Sequence, residues 1–226
     1  MKRLKGIIFD FNGVLLLDQD LHDNIWKGIA LGIRGKALSE EEIKNVFHGR
    51  TNRAALEYLF DKTLDRKDVE QWVTKKETAY QELARSIGPQ YQLAPGAVSL
   101  LDELKLQNIP FTIATSSPEM NIGFFNRMLG LDKWFDVLKI AHDDGSIRSK
   151  PAPDLYLRAA EFLALAPGDC VVIEDARSGI ASAHAAGIGH IIAIGPKDRH
   201  DVLRKIEGVD EVIESLDQID VQKLFG

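Results

Sequence analysis

The chain has 226 residues, of which 45% are hydrophobic, and a formal net charge of −6. This composition can bury the core of one domain, or of one domain that carries a smaller insert. Nucleic acid is not expected as a partner, because the lysines and arginines never occur more than two in a row and the chain is acidic.

A membrane location is excluded by the same inspection. No apolar run approaches the roughly 20 residues of a membrane span, and the amino terminus lacks the apolar segment of a signal peptide. The single Cys170 cannot form an internal disulfide and suits a reducing compartment. We therefore expect a cytoplasmic protein that is a monomer, with a homodimer as the alternative.

Short apolar runs alternate with amphipathic helical patterns along most of the chain. The predicted strands are residues 6–10, 111–115, 170–174, 191–195 and 211–215, and the predicted helices are residues 96–107, 120–129, 154–163 and 178–186. Because the strands are apolar throughout, both faces of their sheet must be covered. The alternation predicts an α/β fold, with a Rossmann-like parallel sheet and right-handed crossovers.

One region interrupts this alternation. From residue 18 to residue 87 no strand pattern occurs, whereas helix signals do, including a capping box at 39–42. The simplest interpretation is a helical domain inserted after the first strand. We predict a core domain formed by residues 1–16 and 88–226 and a helical insert formed by residues 17–87.

Polar side chains follow three of the predicted strands, and one more lies in a proline-rich loop: Asp10, Thr115 to Ser117, Glu174 with Asp175, and Lys150. Ligands of open parallel sheets bind beyond the carboxyl ends of the strands, so we expect these side chains to converge there. Each has an ordinary structural explanation when taken alone, as a turn residue, a helix-terminal acid or a solvated charge. Their joint position at strand ends favours a catalytic site.

Four segments carry a resemblance to a known family. In chain order, DFNGVL (10–15), ATSS (114–117), SKPAPD (149–154) and VIEDARSG (172–179) resemble the four motifs of the haloacid dehalogenase superfamily of phosphotransferases. The insert, with LHDNIW (21–26) and HGRTNR (48–53), resembles the helical cap of the β-phosphoglucomutase-like subfamily. The resemblance covers nearly the whole chain.

The resemblance implies a role for each of the core residues. Asp10 would be the nucleophile that forms an aspartyl-phosphate. Mg²⁺ would be held by Asp10, the backbone carbonyl of Asn12, Glu174 and Asp175. Phosphoryl charge would be bound by Lys150, Thr115, Ser116 and Ser117, and Gly13 would let the backbone approach the phosphate.

Position 12 departs from the family pattern, which usually has a second aspartate there as general acid and base. The amide of Asn12 cannot transfer a proton, and general acid–base catalysis is typically worth ~10²–10⁴-fold. Four explanations stay open: a substrate with a better leaving group such as an acyl phosphate, a replacement acid such as His22, weak or vestigial activity, and an engineered substitution.

The helical insert offers candidate substrate-binding residues. His22 shares a helix face with Ile25, Trp26 and Ile29, and Lys76 lies four residues from both Trp72 and Tyr80, so a structural role is an equal alternative for both. In the functional interpretation both face the core, and the loop residues Arg50, Thr51, Asn52 and Arg53 recognise the substrate. That substrate would be a small phosphorylated metabolite, often a sugar phosphate in this subfamily.

Three functions remain in order of preference. A Mg²⁺-dependent phosphatase comes first, because several sugar phosphatases resemble this chain in having a proline after ATSS, at Pro118, where mutases tend to carry a basic residue. A β-phosphoglucomutase-type phosphomutase comes second. A catalytically impaired protein that binds a phosphometabolite comes third, because of Asn12.

Overall fold

Residues 4–226 are described by a computed structural model, and they form a six-stranded, fully parallel sheet. The strands are β1 (Gly6–Phe9), β2 (Phe111–Pro118), β3 (Ala141–Asp143), β4 (Cys170–Glu174), β5 (His190–Ile194) and β6 (Glu211–Ile213). Their order across the sheet is β3-β2-β1-β4-β5-β6. With β1 between β2 and β4, the carboxyl ends of these three strands meet at one edge.

Helices connect the strands and cover both faces of the sheet. They are α1 (Gln19–Arg34), α2 (Glu40–Glu42), α3 (Asn52–Phe60), α4 (Arg66–Ile87), α5 (Ala97–Leu106), α6 (Glu119–Leu129), α7 (Asp154–Phe162), α8 (Arg177–Ala185), α9 (His200–Leu203) and α10 (Val221–Phe225). Successive residues of β1 point to opposite faces: Ile7 and Phe9 join one buried cluster, and Ile8 joins the other. The predicted α/β fold with a parallel sheet is confirmed.

The inserted region is helical throughout its regular structure. Helices α1 to α4 enclose a small apolar core of their own, which includes Trp26 and Leu56. The capping box is present: Ser39 Oγ accepts from the Glu42 N–H, and Glu42 Oε2 accepts from the Ser39 N–H. The division into 1–16 plus 88–226 and 17–87 stays a prediction, and residues 1–3 of it lie outside the described residues.

The predicted and observed elements differ in a few places. The three-residue strand β3 was not predicted, because it is short and ends in the polar residues His142 and Asp143. Strand β2 continues past Thr115 to Pro118. Other boundaries shift by one or two residues. Within residues 4–226, no helix has the length and apolar character needed to cross a bilayer.

Candidate active site

Asp10, Lys150 and Glu174 form a buried ion cluster at the carboxyl edge of the sheet. Asp10 directly follows β1, and its N–H donates to the carbonyl of Ile173 in the neighbouring strand β4. Lys150 Nζ lies 2.6 Å from Asp10 Oδ1 and 2.6 Å from Glu174 Oε1. The Tyr156 hydroxyl of α7 donates to Glu174 Oε1 at 3.0 Å. Asp10, Lys150 and Glu174 therefore converge, as their positions in the sequence predict.

A third carboxylate completes a site suited to a metal ion. Oxygens of Asp10, Glu174 and Asp175 all lie within 4.8 Å of one another. Burial raises the pKa of Asp10 to about 7, although Lys150 acts in the opposite direction. Burial and the negative charge of Glu174 and Asp10 raise the pKa of Asp175 well above its usual range. Three buried carboxylates with one lysine have an excess of negative charge, which a hard divalent cation would neutralise.

Two glycines allow this close packing. Gly13 has a φ of +94°, and a Cβ on it would lie 2.5 Å from Asp175 Oδ2. A Cβ on Gly179, at the start of α8, would overlap the Glu174 carboxylate. Gly13 thus leaves room for the Asp175 carboxylate. It does not line the cavity described below.

Asn12 makes hydrogen bonds through both ends of its side-chain amide. Its Nδ2 donates to Asp18 Oδ2 at 2.8 Å. Its Oδ1 accepts from Ser117 Oγ at 3.0 Å and from Thr115 Oγ1 at 3.3 Å. The amide therefore connects the end of β2 to the start of the helical insert.

A cavity lies between the sheet edge and the helical insert, and it contains most of the predicted residues. Those that line it are Asp10, Asn12, His22, Arg50, Asn52, Lys76, Thr115, Ser116 and Ser117. Arg50 Nη1 donates to the Lys150 carbonyl at 2.9 Å, which ties the loop of the insert to the core. The Ser116 hydroxyl likewise donates to the Gly49 carbonyl at 2.8 Å.

Lys76 is buried in the wall of this cavity. Its Nζ lies 2.8 Å from His22 Nδ1 and 2.9 Å from Glu77 Oε1. Asn52 Nδ2 donates to the same Glu77 oxygen at 2.6 Å. The three predicted residues His22, Asn52 and Lys76 thus belong to one polar network centred on Glu77.

Two predicted loop residues lie elsewhere. Thr51 caps α3 by accepting from the Ala54 N–H, and its own N–H donates to Ser149 Oγ. Arg53 Nη1 donates to Glu57 and to the Leu64 carbonyl, and it lines a separate cleft. Helix α3 begins at Asn52, so neighbouring side chains in its first turn point to different sides of the helix. The segment HGRTNR resembles a loop in the sequence and therefore does not indicate which of its side chains face the cavity.

Several side chains of the site were missed in the sequence. Asp23 and His48 line the cavity as a pair, with Nε2 of His48 3.0 Å from Oδ1 of Asp23. Gln19 contacts Asp175 through Nε2. The sequence does contain an indication of this pair, because both residues lie in the two cap-like segments: Asp23 follows His22 in LHDNIW, and His48 is the first residue of HGRTNR. Nothing local distinguishes Gln19 from a solvated glutamine.

Comparison with known proteins agrees with this geometry. A family described as "Hydrolase: haloacid dehalogenase-like hydrolase" matches residues 4–187. The chain therefore belongs to the haloacid dehalogenase-like hydrolase family, as predicted. It is an enzyme of the phosphoric monoester hydrolase type, with β-phosphoglucomutase-like relatives.

Individual relatives match over almost their full length. Hexitol phosphatase A of Escherichia coli (strain K12) is 33% identical over 222 residues, which is 98% of this chain and 95% of that protein. β-Phosphoglucomutase of Bacillus subtilis (strain 168) is 28% identical over 224 residues, 98% of this chain and 94% of that protein. A crystal structure of a HAD hydrolase, family IA, variant 3, from Entamoeba histolytica has a TM-score of 0.85 and 37% identity, covering 98% of each chain.

Proposed function

We propose that the protein is a Mg²⁺-dependent phosphatase that hydrolyses a small sugar phosphate or sugar-alcohol phosphate through an aspartyl-phosphate on Asp10. The observation that carries this proposal is the placement of the Asp10 carboxylate. One of its oxygens is bound to Lys150, and it stands beside Glu174 and Asp175 at the floor of a polar cavity. A carboxylate held in this way is a competent nucleophile toward phosphorus.

Mg²⁺ would be held by the carboxylates of Asp10, Glu174 and Asp175 and by the backbone carbonyl of Asn12. When bound, the ion offsets the repulsion between the nucleophile and the anionic ester. Lys150 favours the ionised form of Asp10 and neutralises phosphoryl charge.

The chemistry has two displacement steps. In the first, Asp10 forms a bond to phosphorus and the bond to the leaving oxygen breaks. The Thr115 hydroxyl and the Ser116 N–H would bind phosphoryl oxygens. In the second, water attacks phosphorus and releases Asp10.

The lining of the cavity supports a substrate with hydroxyl groups. Asp23 and His48 provide an acceptor and a donor on the insert side, and Asn52 adds an amide. Such groups bind the hydroxyls of a sugar or polyol. The similarity to a hexitol phosphatase over nearly the whole chain points the same way.

A phosphomutase is the second candidate, and one observation favours it. Arg50 lines the cavity, and its buried Nε has no hydrogen-bond partner among the described residues. This donor could bind a second phosphate, which a mutase must hold. The similarity to a β-phosphoglucomutase is consistent with that alternative. A phosphometabolite-binding protein with impaired catalysis, the third candidate, rests on Asn12 alone.

One experiment separates the three functions. Phosphate release is measured from a panel of sugar phosphates, hexitol phosphates, acetyl phosphate and p-nitrophenyl phosphate, with Mg²⁺ and with chelator. The phosphatase predicts Mg²⁺-dependent release that is absent in Asp10→Asn. A mutase would isomerise a sugar phosphate only when a bisphosphate primer is added, and an impaired binder would release no phosphate from any member of the panel. The cytoplasmic location and the monomeric state stay predictions.

A further inference from the structure

Asp18 occupies the N-cap position of α1 but does not cap the helix. An aspartate at this position ordinarily accepts a hydrogen bond from a backbone N–H of the first helical turn, but within residues 4–226 no backbone N–H donates to the Asp18 side chain in this way. Instead, Asp18 Oδ2 accepts from the Tyr80 hydroxyl at 2.5 Å and from Asn12 Nδ2 at 2.8 Å. The side chain is only 2% exposed, so these contacts are made away from solvent.

His22 lies beside the same oxygen. Its Nε2 lies 3.3 Å from Asp18 Oδ2, while its Nδ1 faces the Lys76 ammonium. An ammonium can only donate, so Nδ1 must accept and the ring proton of the neutral imidazole resides on Nε2. Asp18 Oδ2 is thus the shared acceptor for two donors, Asn12 and Tyr80, and His22 Nε2 lies next to it.

The surroundings of Asn12 require both a donor and an acceptor. On one side Nδ2 faces the Asp18 carboxylate, and on the other Oδ1 accepts from the Thr115 and Ser117 hydroxyls. An ionised carboxylate offers acceptors only. At position 12 it would place an oxygen against Asp18 Oδ2 where an N–H now donates, and this contact is buried.

We propose that Asp18 is a positioning residue for Asn12, and that the amide at position 12 and the carboxylate at position 18 are a matched pair. The inference rests on the proposed phosphatase function. One N–H of the amide is bound by Asp18. Asn12 Nδ2 also lies 3.4 Å from His22 Nε2, but that nitrogen carries the ring proton and cannot accept. Because Asn12 lines the cavity, its second N–H can therefore donate to the leaving-group oxygen. The amide stabilises that oxygen by a hydrogen bond, and the proton itself comes from water. The pairing explains why an amide is found at a position where the family has a carboxylate.

The test exchanges the two groups. The wild type, Asn12→Asp, Asp18→Asn and the double variant are assayed on p-nitrophenyl phosphate, whose phenolate leaves without a proton, and on glucose 6-phosphate, whose alkoxide needs one. In the double variant an amide at position 18 can donate to the carboxyl group at position 12, and that group, when protonated, can pass its proton to the leaving oxygen. We expect kcat for glucose 6-phosphate, relative to p-nitrophenyl phosphate, to rise toward the ~10²–10⁴-fold of a positioned acid. Either single exchange should fall far short of this gain.

Two outcomes overturn the inference: the full gain in Asn12→Asp alone, or a double variant no better than that single variant. Intact mass must first show that Asn12, which precedes a glycine, is not deamidated. If the double variant does not fold, Asn12→Asp with Asp18→Ser replaces it, since serine can also donate to the new carboxylate. Asp65→Asn is the control, because Asp65 is a helix-capping aspartate that accepts from the Asp68 N–H and lies outside the cavity. It should leave the relative kcat of the two substrates unchanged.

Thermal midpoints of the same proteins test the pairing independently of catalysis. Asn12→Asp should lower the thermal midpoint, and adding Asp18→Asn should restore most of the loss. If the shifts caused by the two single exchanges simply add in the double variant, the pairing is contradicted. Absence of any wild-type turnover would instead disprove the phosphatase and leave the midpoints as the decisive result.

Discussion

Lys150 and Asp10 are 140 positions apart in the chain, yet Lys150 Nζ lies 2.6 Å from Asp10 Oδ1 in a site closed to solvent. Burial acts to lower the pKa of Lys150, but the Asp10 and Glu174 carboxylates outweigh it and raise that pKa above its usual range. The lysine is therefore a permanent cation. It holds the proposed nucleophile against the end of β4 and offsets part of the negative charge of the acid cluster.

Removing this cation should impair both activity and stability. In Lys150→Met the side-chain volume is nearly kept, but three carboxylates are left without their ammonium. Breaking a buried ion pair from one side typically costs about 3–5 kcal/mol of unfolding free energy. We expect that loss in urea unfolding, together with loss of phosphate release from p-nitrophenyl phosphate. Lys5→Met, which breaks an ion pair with Asp169 in which the lysine side chain is 57% exposed, should cost about 1 kcal/mol or less. Equal losses in the two variants would contradict the role of Lys150.

The acid cluster should bind Mg²⁺ in the absence of substrate. Titration calorimetry of the wild type should detect binding, and Asp175→Asn and Glu174→Gln should weaken it by about 1.4 kcal/mol or more, a factor of ten. Chelator should abolish phosphate release and addition of Mg²⁺ should restore it. Asp201→Asn, a change at a side chain that is 90% exposed, is the matched control and should bind as the wild type does. Unchanged affinity in both cluster variants would place the metal elsewhere.

Glu77 should make the stability depend on pH. Burial acts to raise the pKa of Glu77, but the charge of Lys76 and the hydrogen bonds from Lys76 and Asn52 outweigh it, so the pKa in the folded protein lies below the ordinary 4.5. A lowered folded-state pKa means that the stabilisation is present above the unfolded pKa and is lost as the pH falls through the folded value. We expect the free energy of unfolding to drop below about pH 4.5 in the wild type, and less so in Glu77→Gln.

Urea unfolding between neutral pH and about pH 3 measures this effect. Glu70→Gln is the control on the same helix, since Glu70 is 60% exposed and forms its ion pair with Arg66 at the surface. If Glu77→Gln and the wild type lose stability in parallel as the pH falls, Glu77 is not the group responsible.

The pair formed by Asp23 and His48 should determine substrate preference. Both side chains line the cavity and are less than one fifth exposed, at 18% and 16%. Loss of one hydrogen bond to a substrate hydroxyl corresponds to about 1 kcal/mol, or roughly fivefold in kcat/KM. We expect Asp23→Asn and His48→Ala to reduce kcat/KM for hexitol and sugar phosphates by at least that factor, with little effect on p-nitrophenyl phosphate. Asp20 lies on α1, as Asp23 does, but outside the cavity. Asp20→Asn should therefore leave the ratio of kcat/KM between sugar phosphates and p-nitrophenyl phosphate unchanged. A parallel loss on both substrates would indicate a structural role.

Much of the fold follows from local patterns. Strands such as β4 are apolar at every position because helices cover both faces, so runs such as CVVIE predict them directly. The residues of the catalytic edge could also be predicted, since Asp10 and Glu174 stand at strand ends. Strand β3 could not, because its three residues are defined by pairing with β2 and not by their own hydrophobicity.

The residues that the helical insert contributes to the site were harder to predict, for a physical reason. Whether His22, Lys76 or Arg53 faces the cavity depends on how the insert packs against the core. Lys76 does face it, whereas Arg53 turns toward Leu64. The pairing of Asn12 with Asp18 could not be predicted from the sequence either, because it also depends on how the insert packs against the core. An aspartate directly before a helix is ordinarily interpreted as its N-cap.

The most direct test of the central claim is detection of the phosphorylated nucleophile. The protein is mixed with Mg²⁺ and acetyl phosphate or p-nitrophenyl phosphate, quenched in acid within the first turnover, and the peptide that contains Asp10 is analysed by mass spectrometry. We predict one phosphoryl group on Asp10, dependent on Mg²⁺ and absent in Asp10→Asn, which should also lose all phosphate release. Undiminished turnover in Asp10→Asn, or a phosphoryl group on another residue, would contradict the account.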